Sequence, residues 1–472
     1  MLRGPGFAGD VYFTTTDYNV FVQDTWRVNN LLTLNLGLRY EYQQLPQPGE
    51  AEVRGLPFTG NPAYPETQRF HQDTNNWGPR VGFTYDVDGS HRTVVRGGWG
   101  IYYGRTSNSA ISSALTNNAV TFATYSFTPT SAGAPQYPSV FASAPTGTGA
   151  RPSIQYLVSD LERPEIYMSE ISVDRLIGTD ITLSASYLNS LGRHLPTFPD
   201  TNLPEPTATV EYFVGDQSRG LFPFYRGARP DGAINNAIAV ADIVESTYHA
   251  LVLQANKRFT RGLLFNVNYT LSKSEDTGQN STTFISNFST LYDPRDVDLE
   301  KGPSAFDRRH RLVASFHYAP DFLYGIQVGG TGTFESGLPL TATISGGAAS
   351  ATGATSTATT NGSGASNRSP FDTRNGFRRD GRKTVDLRLS KRFDLGGRRQ
   401  LQVLWEAFNV FNFVNYTGFS STKYRVASSS FSAAENTVTV NLTEEPDFGN
   451  PTSASNTLFG PRDMQLGVKF LW

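Results

Sequence analysis

The sequence contains no cysteine, which excludes structural disulfides and thiolate metal sites and leaves the compartment open. It has no apolar run of 18 or more residues, so nothing in it reads as a transmembrane helix. The opening stretch MLRGPGFAGDVYFTTTDY has no apolar h-region, so no signal peptide is visible. Charge of one sign is also missing: 40 Lys and Arg against 42 Asp and Glu leave a net −2, a balance that points to no nucleic-acid partner and no acidic substrate. Helical periodicity is scarce, and the hydrophobic fraction is only 38%. Aromatic residues, by contrast, are plentiful: 22 Tyr and 32 Phe contribute to a 12% aromatic share. Low hydropathy with many aromatics argues against both disorder and a Leu-rich helical core. A soluble chain of 472 residues would normally divide into two or three domains.

Alternation of apolar and polar residues runs through the chain. Period-2 stretches predict about thirteen strands. They lie near 17–28, 31–43, 76–87, 93–105, 164–177, 180–190, 246–259, 263–275, 308–320, 324–338, 382–395, 399–412 and 462–472. Most exceed the usual strand of about five or six residues. They reach the roughly nine to eleven residues that cross a bilayer's hydrocarbon layer when tilted. Short links follow every second strand: Asn29–Asn30, DVDGSH, IGTD (177–180), TRG (260–262), APDFLYG (319–325) and DLGGRR (394–399). Several carry the Asn, Asp-Gly or Gly-Gly chemistry of hairpin turns. Between these hairpins lie long connections at 44–75, 106–163, 191–245, 276–307, 339–381 and 413–461. Structureless loops of that length count against a compact soluble domain. Strict short–long alternation suits a membrane barrel with short periplasmic turns and long external loops.

The faces agree. In LLTLNLGLRYEYQ, Leu32, Leu34, Leu36, Leu38, Tyr40 and Tyr42 oppose Thr33, Asn35, Gly37, Arg39 and Glu41. In KTVDLRLSKRFDL, Val385, Leu387, Leu389 and Phe393 oppose Asp386, Arg388, Ser390, Arg392 and Asp394. Charges on one face fit a watery lumen; Lys391 alone falls on the apolar side, near the following turn, where it can snorkel. The chain ends on DMQLGVKFLW, with Met464, Leu466, Val468, Phe470 and Trp472 on one face. The expected fold class is therefore all-β, a transmembrane antiparallel β-barrel. A water-soluble sandwich or propeller would have shorter strands and connections of mixed length.

YNVFVQDTWRVNNLLTLNLGLRYEY (18–42), NWGPRVGFTYDVDGSHRTVVRGGWGIYYGR (76–105), FDRRHRLVASFHY (306–318), WEAFNVFNFVNY (405–416) and FGPRDMQLGVKFLW (459–472) together resemble TonB-dependent outer-membrane receptors, particularly the Oar-like group. The resemblance covers the chain in order and is weaker in the long connections. It implies a barrel of about 22 strands closed around a plug, of which this chain carries about thirteen strands as the C-terminal part. Plug, signal peptide and TonB-contacting segment are not recognisable, and residues 1–16 read as the tail of an external loop. The resemblance further implies that Phe470 and Trp472 present an insertion signal to the barrel-assembly machinery, besides anchoring at the lipid interface.

Other constellations are less telling. DPRDVDLEKG gathers Asp293, Asp296, Asp298 and Glu300; it lacks EF-hand spacing and reads as a solvated acidic loop rather than a Ca²⁺ cage. Asp307, Arg308, Arg309, His310 and Arg311 suggest a polar barrel rim more than acid–base chemistry, because no nucleophile or metal-spaced partner accompanies them. SGGAASATGATSTATTNGSGAS (345–366) reads as a flexible external loop. No cofactor, metal or enzymatic activity is expected. The leading function is TonB-dependent ligand binding and uptake across the Gram-negative outer membrane. Outer-membrane lipid and an unknown ligand are the expected partners, and TonB would act only through a plug. Ligand contacts are expected from the loop residues Tyr64, Arg69, Phe222, Tyr225, Arg226 and Tyr292. The alternatives are a passive porin-like or structural barrel, and a soluble secreted β-rich binding protein.

Overall fold

The computed structural model describes residues 11–472 apart from 54–55, 124, 126–132, 137, 140–150, 279–290, 348–360, 364–366 and 455–459. Thirteen long strands form one antiparallel meander: β1 (Thr16–Arg27), β2 (Leu32–Gln44), β3 (Trp77–Asp86), β4 (Thr93–Tyr103), β5 (Glu165–Ile177), β6 (Ile181–Thr197), β7 (Ala237–Thr260), β8 (Leu263–Asp276), β9 (His310–Tyr318), β10 (Ile326–Glu335), β11 (Arg382–Asp394), β12 (Gln400–Phe408) and β13 (Asp463–Leu471). Each pairs with its neighbours in sequence order. Among the described residues no ladder joins β1 to β13. No helix among them is long and apolar enough to cross a membrane; the strands do the crossing.

Register turns the alternation of each strand into two chemically distinct faces, because directly opposed residues share a face. One row reads Val95, Val173, Ala185, Leu253, Tyr269 and Leu312 across β4 to β9. Another reads Val328, Leu389, Trp405 and Leu466 across β10 to β13. On the opposite face, Thr182, Asn256, Asn266, Ser315, Thr331 and Asp386 form an entirely polar row. The apolar residues are not covered by protein: Ile171 is 50% exposed, Leu253 42% and Leu389 45%. In water so extended an apolar surface would drive aggregation; against lipid it is the favourable arrangement. Aromatic rings gather toward the ends of this face. Tyr40 lies 4.7 Å from Trp77 and Tyr18 stacks at 5.9 Å on Tyr42 at one end. Phe470 stacks at 5.9 Å on Trp472 at the other. These are the positions of interfacial girdles.

The short turns have the chemistry their geometry needs. Asn29 Oδ1 accepts from the amides of Leu31 and Leu32 at 2.8 and 2.9 Å, closing the first hairpin. Between β7 and β8 both central residues, Arg261 and Gly262, have positive φ (51° and 75°), as a two-residue primed turn requires. A side chain on Gly262 would meet Pro320 Cα at 2.5 Å, so the position is restricted by space as well as by φ.

Strand ends depart from the pattern at two places. The strands predicted at 180–190 and 246–259, on either side of a long connection, extend to Thr197 and back to Ala237, so β7 has 24 residues, far more than a bilayer needs. The extension begins where a bulge between Gly192 and Leu195 breaks the register, which hides it from a period-2 reading. β12 stops at Phe408 rather than 412 because Asn409 and Asn412 take positive φ (47° and 55°) and turn the chain. Ahead of β1, Val11–Tyr12 pairs with Glu52–Val53 of the first long loop.

Candidate ligand-binding surface

Alternation of direction places all the long connections at one end of the sheet. Their described parts do not wander as structureless loops, contrary to the expectation from their length and composition: they fold on one another into a cap with its own cores. One core joins the first three loops. It contains the helix α1 (Asn108–Thr116), whose N-cap Ser107 accepts from the Ala110 amide at 3.3 Å. Ala110, Ile111, Ala114 and Leu115 lie on its buried side and pack with Leu45, Phe58, Phe70, Leu161 and Phe198. The outer part of β7 takes part too, through Ile238 and Val240.

The second core is a five-stranded sheet drawn from distant loops: Gln217–Phe224, Ala208–Val214, Thr437–Glu444, Thr422–Ser432 and Thr343–Ser345, in that order. Thr209 opposes Thr437 in a parallel ladder. Val210, Tyr212, Ile344, Tyr424, Val438 and Val440 fill its interior. In the sequence these segments read as loop, because pairing across more than two hundred residues of chain leaves no local signal.

The six anticipated contact residues lie in two parts of the cap, Tyr64 packing on a small cluster of Ile154, Ile234 and Ala237. Tyr64 and Arg69 belong to the first loop; Arg69 is exposed, while Tyr64 is half-buried and donates to Asp231 at 2.9 Å. Phe222, Tyr225, Arg226 and Tyr292 converge on the second core. Phe222 lies 5.8 Å from Tyr212 and edge-on to Tyr292 at 6.2 Å. Arg226 sits 4.4 Å over the Phe431 ring and donates to Asn436 at 2.8 Å. Tyr225 and Tyr292 are buried, with hydroxyls bonded to Asp293 and Tyr212 respectively. Burial first, and then the contact with Asp293, push the Tyr225 hydroxyl well above the usual tyrosine value; burial does the same at Tyr292. In this conformation these two residues hold loops together, and Arg69, Tyr64, Phe222 and Arg226 retain accessible surface.

The acidic stretch is not a solvated loop throughout. Asp293 is buried under Tyr225, and Glu300 is buried against Arg368, whose Nε donates to both carboxylate oxygens at 3.0 Å. Much of the predicted 345–366 flexible loop lies outside the described residues.

Below the cap, two arginine groups line the polar rim, each around one carboxylate. Glu41 faces Arg39 at 2.7 Å, Arg163 at 3.5 Å and Arg80 at 3.9 Å. Glu335 faces Arg382 at 2.7 Å, Arg311 at 2.8 Å and Arg308 at 2.9 Å. The sequence placed Arg39 and Glu41 on one face, but only cross-strand register brings in Arg80, and only loop folding brings in Arg163. His310 bonds to the Tyr269 hydroxyl at 2.8 Å on the apolar face, whereas Arg311, next along the strand, turns to the polar side and Glu335.

A lipid-facing antiparallel wall, a polar inner face and folded loops at one end define the class: an outer-membrane β-barrel. Residues 6–465 match the family model described as outer membrane beta barrel domain, and the chain belongs to that family, placing it in the Gram-negative outer membrane. This removes the soluble alternative. No curated protein matches the chain. Among solved structures, the outer membrane transporter YddB from Escherichia coli aligns over 97% of this chain and 45% of its own, at 11% identity and a TM-score of 0.52. The FrpB iron transporter from Neisseria meningitidis aligns over 96% and 45%, at 12% identity and 0.47. The ferripyoverdine receptor of Pseudomonas aeruginosa aligns over 97% and 38%, at 12% identity and 0.47. The chain thus spans less than half the length of these structures. The likeness to YddB is one of fold.

Proposed function

We propose that the chain supplies the wall and external loops of a TonB-dependent receptor that captures a ligand outside the cell and passes it across the outer membrane. The observation that carries this reading is the cap: loops far apart in sequence share a sheet and buried cores above a polar-faced wall, a preorganised surface of the kind that selective binding uses. Arg69, Tyr64, Phe222 and Arg226 are the proposed contacts, with Tyr225 and Tyr292 supporting them from beneath. The Oar-like assignment rests on the motifs quoted above. In this reading energy coupling through TonB and a plug belongs to the whole receptor, and Phe470 and Trp472 address the chain to the barrel-assembly machinery.

Uptake in the source bacterium tests it with a nutrient panel, so the ligand need not be identified first. A gene-deletion strain and a strain unable to energise outer-membrane transport should lose uptake of the same compound from the panel. A compound lost on deletion but still taken up without energisation would instead support the passive barrel.

A further inference from the structure

We propose that Glu162, His194 and Asp242 form a site for a divalent transition-metal ion at the outer rim of the wall. One donor atom from each lies within 4.8 Å of the other two. Glu162 comes from the second long loop, His194 from the outer extension of β6 and Asp242 from that of β7. The bulge between Gly192 and Leu195, with His194 at φ 52°, sets the imidazole between the two carboxylates. Nδ1 lies 3.3 Å from Asp242 Oδ2 and Nε2 lies 3.2 Å from Glu162 Oε2.

A neutral imidazole has one N–H. Only one of these two contacts can then be a hydrogen bond, and the other sets a bare nitrogen lone pair against a carboxylate oxygen. A second proton or a cation resolves that conflict. Among the described residues neither carboxylate has a Lys or Arg ion-pair partner, so with neutral imidazole the trio carries two uncompensated negative charges. The adjacent Arg193 is already paired with Glu245. Asp242 Oδ2 also accepts the Glu162 amide at 3.0 Å, which fixes one ligand through the backbone of another. His194 and Glu162 side chains are 37% and 40% exposed, leaving water free to complete the coordination. An imidazole with two carboxylates suits Zn²⁺ and its first-row neighbours better than Ca²⁺ or Mg²⁺. The bound ion would fasten the second loop to the base of the β6–β7 extension. This inference does not depend on the transport reading.

The test is calorimetric titration of the tag-free full chain in detergent with Zn²⁺, after chelator treatment, with metal analysis of the dialysed protein. One equivalent should bind, Ca²⁺ should not displace it, and His194→Gln and Glu162→Gln should each weaken binding at least tenfold. Glu245→Gln, which removes a neighbouring carboxylate outside the trio, should leave binding unchanged. Absence of stoichiometric Zn²⁺ in the unmutated chain would overturn the proposal. Equal binding by all the variants would overturn it too. Because Glu162 is at the exposed side, its variant decides the matter if the His194 variant folds poorly.

Discussion

At the scale of residues, burial separates ion pairs that hold the cap from those that decorate it. Glu300 and Arg368 side chains are 2% and 3% exposed. Removing one member strands a buried charge, so Glu300→Gln should cost about 3–5 kcal/mol, read as a lower urea midpoint of the detergent-folded chain. Glu335 is equally buried, yet its three arginines are 26–53% exposed. Those can turn to water, and Glu335→Gln should cost less, about 1–2 kcal/mol. Three buried or half-buried tyrosines give a pH signature. Tyr64, Tyr225 and Tyr292 have hydroxyls raised above the usual value, burial being the largest cause in each. A group raised on folding contributes stability that is fully present below its unfolded value, about 10 for Tyr, and lost as pH climbs through the folded one. The cap should therefore open on the alkaline side. A late-ionising group of tyrosines in an absorbance titration, coinciding with increased protease cleavage of the loops, would show it.

At the scale of elements, the two faces of a strand should tolerate opposite chemistry. Leu389 lies near the middle of β11 on the apolar face, opposite Val328 and Trp405. Leu389→Arg should cost about 2–4 kcal/mol in lipid. Thr331, exposed on the polar face opposite Asp386, should accept Lys within about 0.5 kcal/mol. Equal penalties would mean that the faces are misassigned. Truncating Phe470 and Trp472 to Ala should lower the amount of folded barrel recovered from membranes if the terminal strand is an assembly signal, and leave it unchanged if they are only girdle aromatics. Strands and turns were legible in the sequence because both are local: a period of two, and Asn or Gly where φ turns positive. The β6–β7 extension was not, since a bulge erases the period. Nor was the clustering of Arg80 and Arg163 on Glu41, which depends on register and on loop folding.

At the scale of the whole molecule, a lipid-facing wall carries a loop cap whose cores unite segments far apart along the chain. Composition read the loop ends as solvent-exposed and structureless. The apolar residues that build the cap, such as Ile111, Phe198, Val438 and Val440, are too scattered along the sequence to announce a core. The central claim is one of orientation: loops outside, turns inside, wall in the membrane. The absence of native cysteine makes it directly testable. Single cysteines would be placed in the cap by Asp216→Cys and in the β11–β12 turn by Arg398→Cys, both at exposed positions. Intact cells would then be treated with a membrane-impermeant maleimide. The structure predicts labelling at position 216 at once, and at 398 only after the outer membrane is permeabilised. Labelling at 398 but not 216 in intact cells, or equal labelling at both, would contradict it.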